Sequence, residues 1–165
     1  MLMRAAAAPM AVIAAVAVTV IAPPRPILIW NVSLSAPIGL YAVGRQERLA
    51  VGDMVAARVP RDWRRLAEVR RYVPANIPLI KRISAGPGDR VCAIGADVLV
   101  NGEPVAVRPR QDGAGRDMPQ WAGCIDLQPG SYLLLMDDAA SFDGRYFGPT
   151  QARDIVGKVR LLWAR

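Results

Sequence analysis

Leu79-Ile80-Lys81-Arg82-Ile83, a turn at Gly86-Pro87-Gly88-Asp89, then Arg90-Val91-Cys92-Ala93-Ile94, and finally Asp97-Val98-Leu99-Val100 and Glu103-Pro104-Val105-Ala106-Val107 around Asn101-Gly102: the fold is most legible in this stretch, residues 79–107. Short β-branched runs cut by Gly and Pro read as successive strands. Asn-Gly between alternating apolar runs is the strongest short-range hairpin signal, because both central turn positions need a positive φ. Similar runs lie on either side. Ile27-Leu28-Ile29-Trp30-Asn31-Val32 and Asp53-Met54-Val55-Ala56-Ala57-Arg58-Val59 precede the stretch, and Ser131 to Met136 and Ile155 to Trp163 follow it. One amphipathic helix is expected over Arg61 to Val73, with Trp63, Leu66, Ala67 and Val69 on a shared face and Pro74 and Pro78 ending it. Arg108 to Gly123 is polar, Gly-rich and Arg-rich, and reads as an exposed excursion. No internal repeat interrupts this pattern, so a mostly β domain is expected.

Toward the N-terminus, Ala5 to Ala22 carry no charge, and the run closes at Pro23-Pro24-Arg25-Pro26. Its length sits at the short end of what spans a bilayer core. A cleaved secretory signal is the competing reading, since Val20-Ile21-Ala22 loosely matches a small-residue cleavage site. Proline directly after that site disfavours cleavage, and the run is longer than a usual signal core. Residues 1–22 are therefore read as an uncleaved signal anchor, one transmembrane helix, and residues 23–165 as the domain behind it. Arg4 and Arg25 flank the run on both sides, so charge alone does not orient it.

The chain has 165 residues, enough for one ordinary domain, and a formal net charge of +7. A basic balance fits nucleic acid, an anionic membrane or an acidic partner. There is no Cys/His finger spacing, RNP-like aromatic strand or basic-zipper heptad, and the basic residues are dispersed. Membrane proximity is the simpler reading, and no nucleic-acid partner is expected. Histidine is absent altogether, which excludes Ser-His-Asp and Cys-His triads and His-ligated metals. Lysine occurs only at Lys81 and Lys158. Arginine cannot act as a base, whereas a desolvated lysine can. Asp137, Asp138 and Asp143 lack the spacing of a calcium loop, and neither metal nor cofactor is expected. Cys92 and Cys124 match neither redox nor zinc spacing. They are either one disulfide in an oxidising compartment or two buried thiols.

A serine nucleophile without histidine needs another base to take its proton. Strand alternation puts Lys81 on the face of Leu79 and Ile83. Such an apolar setting lowers a lysine pKa from about 10.4 by as much as ~3–5; the plainer alternative is a lysine snorkelling from a strand edge. Ser35 precedes Ala36-Pro37, where a strand gives way to a loop. Such a junction can expose a hydroxyl on a fixed scaffold, or simply hold a turn serine bonded to local backbone.

Three segments in order carry a family resemblance: Asn31-Val32-Ser33-Leu34-Ser35-Ala36-Pro37-Ile38-Gly39-Leu40-Tyr41, Leu79 to Ile83 with Pro87-Gly88-Asp89, and Ser141-Phe142-Asp143-Gly144-Arg145-Tyr146-Phe147-Gly148-Pro149. Behind an N-terminal anchor they resemble bacterial type I signal peptidases. The SxPxGLY form of the first segment is most similar to the conjugal-transfer branch, the TraF-type pilin-maturation peptidases. The resemblance implies a signal-peptidase-like β domain with Ser35 as nucleophile and Lys81 as general base. It implies that Ser33 donates to the oxyanion together with the Ser35 N–H. By the same resemblance Ser141 orients the lysine amine, Asp143 and Arg145 form a bracing ion pair, and the aspartate also bears on activity. A catalytic domain on the periplasmic face of the cytoplasmic membrane is implied, and in that compartment a Cys92–Cys124 disulfide. The implied substrate is an exported preprotein, a prepilin of a DNA-transfer apparatus, with small Ala-x-Ala-like residues before the cut. It would bind beside an exposed strand near Ser35. Asp137-Asp138-Ala139-Ala140 replaces the usual GDNRDN-like lead-in, and Ala36 stands where many relatives carry methionine, so substrate preference is expected to differ.

Three other readings compete. A substrate amine in place of water would release a cyclised pilin from the same acyl-enzyme. A self-cleaving regulator of the LexA sort is opposed by the apolar anchor and by the lack of a DNA-binding segment. A non-catalytic membrane-tethered assembly module has no need of Ser35, Lys81 and Ser141 together.

Overall fold

The short apolar runs form eleven strands among the described residues, every pair of them antiparallel. The structure is a computed structural model that describes residues 17, 25–74 and 76–165. The proposed anchor, residues 1–22, lies outside the described residues apart from Ala17. Among the described residues no helix is long and apolar enough to cross a membrane.

In chain order the elements are β1 (Leu28–Asn31), β2 (Gly39–Val43), β3 (Met54–Ala57), α1 (Arg61–Val69), β4 (Leu79–Ala85), β5 (Arg90–Ile94), β6 (Asp97–Val100), β7 (Glu103–Val107), β8 (Gly123–Asp126), β9 (Ser131–Leu135), α2 (Gly144–Phe147), β10 (Thr150–Gln151) and β11 (Ile155–Ala164). A seven-stranded sheet has the order β1-β2-β11-β3-β4-β9-β10, and a four-stranded sheet the order β7-β6-β5-β8. The long β11 joins the halves of the larger sheet. Its first residues, Ile155 to Lys158, pair with β3, and Val159 to Ala164 pair with β2. Two glycines permit this. A Cβ on Gly157 would lie 2.1 Å from the Gly44 carbonyl oxygen, and one on Gly39 would lie 2.0 Å from that of Trp163.

β4 lies inside the larger sheet between β3 and β9, and residues on both of its faces are buried. Ile80 packs with Ile29, Tyr41, Met136 and Val156. Ile83 packs with Val55, Ala57, Leu134 and Ile155. The smaller sheet closes over β9: Val91 and Val98 cluster with Leu127, Leu133 and Leu135. The hairpin of β6 and β7 turns at Asn101 and Gly102 with φ of 52° and 89°, as the Asn-Gly signal requires. Cys92 and Cys124 sit opposite each other on β5 and β8, Cα atoms 4.0 Å apart, and form a disulfide.

Several boundaries differ from the sequence reading. The strand expected over Asp53–Val59 is confined to Met54–Ala57. The helix expected to reach Val73 ends at Val69. Arg71 takes a left-handed φ of 58°, Tyr72 N–H donates to the Ala67 carbonyl, and Arg71 N–H donates to that of Glu68. This is a Schellman termination. Apolar spacing overruns it because Val73, beyond the stop, is still buried. The excursion at 108–123 is only partly exposed. Arg108 is buried and donates to the Gly95 and Trp121 carbonyls, Met118 is buried, and the Trp121 indole N–H donates to the Gly144 carbonyl. β8 was hidden because all four of its residues are exposed, which removes the alternation that betrays a strand. β2, unanticipated as a strand, is short and bounded by Gly39 and Gly44.

The disulfide closes a loop with a sequence separation of 32 residues. Replacing both cysteines by alanine should lower the unfolding free energy by about 3–4 kcal/mol, measured by denaturant titration of the full chain in detergent. A loss below about 1 kcal/mol would show that the covalent link contributes little.

Candidate active site

Ser35 sits in the turn between β1 and β2, half-buried. One buried side chain shapes that turn. The Asn31 amide nitrogen donates to the carbonyls of Ser33, Ala36 and Pro37 at 3.0, 3.1 and 3.0 Å, and its oxygen accepts from the Ser33 N–H at 3.1 Å. The Tyr41 hydroxyl also donates to the Pro37 carbonyl, at 2.9 Å. An apolar strand ending in asparagine therefore fixes the backbone on both sides of Ser35. The sequence reading gave Asn31 no role. Its only signal was a lone amide closing a strand before a Ser-rich turn.

Lys81 enters from the middle of β4 with 2% of its surface exposed. Its Nζ lies 2.9 Å from Ser35 Oγ and 2.7 Å from Ser141 Oγ. The chain neighbours of these hydroxyls, Ala36 and Phe142, are buried in apolar clusters. Burial pushes the Lys81 pKa from its ordinary 10.5 down to about 8, with Asp143 and Asp138 opposing and Arg145 assisting the shift. Nearly half of such amines are neutral slightly below pH 8, so the group can accept a proton under mild conditions. The other lysine, Lys158, pairs with Asp53 at 2.6 Å and takes no part in this cluster.

Ser141 lies two residues before a buried ion pair. Asp143 and Arg145 are 0% and 2% exposed, with Nε to Oδ1 at 2.8 Å and Nη2 to Oδ2 at 3.2 Å. Asp143 also accepts from the Met136 and Arg145 N–H groups. Arg145 donates to the carbonyls of Met136, Ala139 and Val107. The segment 136–145 is thus laced to a buried cation and a buried anion whose hydrogen-bonding positions are well used. Removing one partner of such a pair leaves a buried charge and costs about 3–5 kcal/mol.

Ser33 is exposed, and its Oγ lies 2.9 Å from Ser35 Oγ while accepting from the Ser35 N–H at 3.3 Å. The two groups expected to share an oxyanion are here engaged with each other. A groove of about 610 Å³ holds Ser35 together with Leu34, Pro37, Ile38, Met136 and Asp138. Arg82, beside Lys81 on β4, meets Asp137 across this groove at 3.1 Å. Ser35, Lys81, Ser141 and Ser33 thus converge, the Asp143–Arg145 pair lies beneath them, and the Cys92–Cys124 link belongs to the other sheet.

The depressed pKa has a consequence for stability. Between pH 8 and pH 10.5 the unfolded chain holds more protons on Lys81 than the native chain, so the native state gains stability as pH rises through that window. Below it the full burial penalty is present. Lys81→Met should therefore be stabilised relative to the parent at pH 7, and that advantage should shrink by about 3 kcal/mol on going to pH 10.5. An advantage independent of pH in denaturant titrations would show that the amine is not depressed.

A family model described as signal peptidase, peptidase S26, matches residues 2–164. The chain is 38% identical over 138 residues to a probable conjugal transfer protein TraF of Sinorhizobium fredii, covering 77% of this chain and 72% of the relative. It is 33% identical over 140 residues to conjugal transfer protein TraF of Agrobacterium fabrum, covering 79% and 78%. It is 38% identical over 143 residues to a plasmid transfer protein TraF of Escherichia coli, covering 81% and 74%. A solved signal peptidase I from Enterococcus faecalis aligns with 69% of this chain and 98% of its own, at 19% identity and a TM-score of 0.40. On the family match across nearly its whole length, and on relatives above 30% identity, this chain belongs to the signal peptidase family, peptidase S26.

Proposed function

We propose that this chain is a membrane-bound serine endopeptidase that removes leader peptides from exported preproteins, a conjugative prepilin foremost, with Ser35 as nucleophile and Lys81 as general base. The observation that carries the proposal is the 2.9 Å approach of a 2%-exposed lysine amine to Ser35 Oγ. A hydroxyl is a weak nucleophile until a base takes its proton, and a desolvated amine is such a base.

The chemistry follows from the geometry. The lone pair of neutral Lys81 accepts the Ser35 proton as Oγ attacks the scissile carbonyl. The Lys81 amine is held by Ser141, whose position is fixed by the Asp143–Arg145 pair. For the developing oxyanion, the Ser35 N–H is aimed by the Asn31-braced turn. Substrate entry breaks the Ser33–Ser35 contact, so the Ser33 hydroxyl becomes a second donor; one such donor is worth about 10²–10³ in rate. The Lys81 ammonium then protonates the leaving amine, and the recovered neutral amine activates water to hydrolyse the acyl-enzyme. The substrate class is supported by the family description and by relatives named for conjugal and plasmid transfer. The same relationship supports a periplasm-facing domain at the cytoplasmic membrane, anchored by residues 1–22.

Ser35→Ala and Lys81→Arg should each lower cleavage of a coexpressed prepilin by at least about 10³-fold, the second because charge is retained but basicity is lost. Mass spectrometry of the pilin reads the cleavage site and separates linear from cyclic product. For the parent enzyme, kcat/KM should rise about tenfold per pH unit below pH 8 and level off above it, as neutral Lys81 accumulates. Activity retained by Lys81→Arg, or a rate flat from pH 6 to pH 9, would remove Lys81 as the base.

A further inference from the structure

A second groove, about 1230 Å³, follows β1, the strand that leads into the Ser35 turn. Leu28 and Trp30 line it from β1, and Ile77 and Pro78 line it from the segment entering β4. Among the described residues β1 pairs only with β2. Its outer edge therefore presents unpaired backbone N–H and C=O groups, which an extended peptide satisfies by adding as a strand. Since β1 runs into the turn bearing Ser35 and β4 carries Lys81, a peptide lying against this edge is directed at the reacting pair.

The same groove is lined by four arginines, Arg58, Arg61, Arg64 and Arg153, and by a single carboxylate, Asp154. Arg64 is committed to Asp154 at 2.8 Å and to the Val59 carbonyl. Among the described residues Arg58, Arg61 and Arg153 meet no carboxylate within salt-bridge distance, and all three are exposed. They come from three separate places: the end of β3, the start of α1 and the turn before β11. Convergence of uncompensated cations on one peptide-sized slot makes it selective for negative charge.

We infer that Arg58, Arg61 and Arg153 are specificity determinants that select substrates carrying acidic side chains at a fixed distance from the scissile bond. This rests on the endopeptidase reading for its occupant, an extended polypeptide. β1 covers Leu28–Asn31, a rise of about 10 Å at about 3.3 Å per residue, and the Ser35 turn lies beyond its Asn31 end, so the carboxylates fall several residues from the cut, roughly four to seven. They lie on the side of the cut that runs along β1. The apolar lining beside Leu28 and Trp30 takes the intervening side chains.

The test uses the full chain in detergent, carrying Ser35→Ala so that binding is read without turnover. Labelled peptides with Ala-x-Ala before the cut carry a pair of Glu, Gln or Lys residues four to seven positions from it, on one side or the other. At low ionic strength the Glu peptides with the pair on one side should bind roughly tenfold tighter than their Gln counterparts, and the Lys peptides more weakly still. Salt should compress that ratio. Replacing the three arginines together by glutamine should abolish the ratio, with an unchanged circular dichroism spectrum. Arg61→Glu alone should shift the preference toward Lys peptides. Equal affinities for Glu and Gln peptides would overturn the inference, as would a ratio that survives the triple replacement. It would equally be overturned if the triple replacement left peptide preference intact and instead weakened binding to phosphatidylglycerol vesicles, which would assign these cations to the bilayer. Failure of the endopeptidase reading would look different: selective binding by the Ser35→Ala chain, with no cleavage of the same peptides by the parent.

Discussion

A lysine amine buried between two hydroxyls makes the strongest demand on this structure. Water would hold Lys81 protonated; the protein keeps it 2% exposed and pushes its pKa to about 8. Burial of that kind is unfavourable unless neighbours satisfy the amine and keep solvent out. Ser35 and Ser141 satisfy it at 2.9 and 2.7 Å. Central placement on β4, between β3 and β9, keeps water away. The interior position of β4 is thus both the source of the desolvation and the frame on which the amine is held.

Both hydroxyls come from irregular segments, and each segment is tied to the scaffold by a buried polar group. Asn31 does this for the Ser35 turn through four hydrogen bonds to backbone. The Asp143–Arg145 pair does it for Ser141 by engaging backbone groups from Val107 to Arg145. Loops positioned in this way can be irregular in path yet fixed in geometry, which is what a reacting constellation requires. The ion pair also tempers the amine, since its two charges shift Lys81 in opposite directions and the net displacement is left to burial.

The smaller sheet contributes differently. Val91 and Val98 close over Leu133 and Leu135, and Arg108 and Trp121 bind the connecting segment back onto the hairpin and α2. This covers β9 and the ion-paired segment from behind, while the outer edge of β1 and the groove holding Ser35 remain open. One side of the domain is given to stability and the other to access.

Candidate residue types and local order were legible in the sequence. The absence of histidine and the presence of only two lysines left few candidates for a base, and the family resemblance of the three motif segments pointed to Ser35, Lys81 and Ser141. The hairpin at Asn101-Gly102 was equally plain, because a turn needing two positive φ values accepts few residue pairs. Strand β8 and the burial of Arg108 were not legible, since each depends on contacts between segments distant in sequence and neither leaves a periodic trace; the end of α1 was masked because apolar Val73, beyond the local stop, is still buried. Asn31 was hidden for the same reason: an amide reveals its role only when the carbonyls it binds are in place. Tertiary structure alone decided that Lys81 meets Ser35 across 46 residues of chain, because only sheet packing can bring two such groups within hydrogen-bond reach and exclude water from between them.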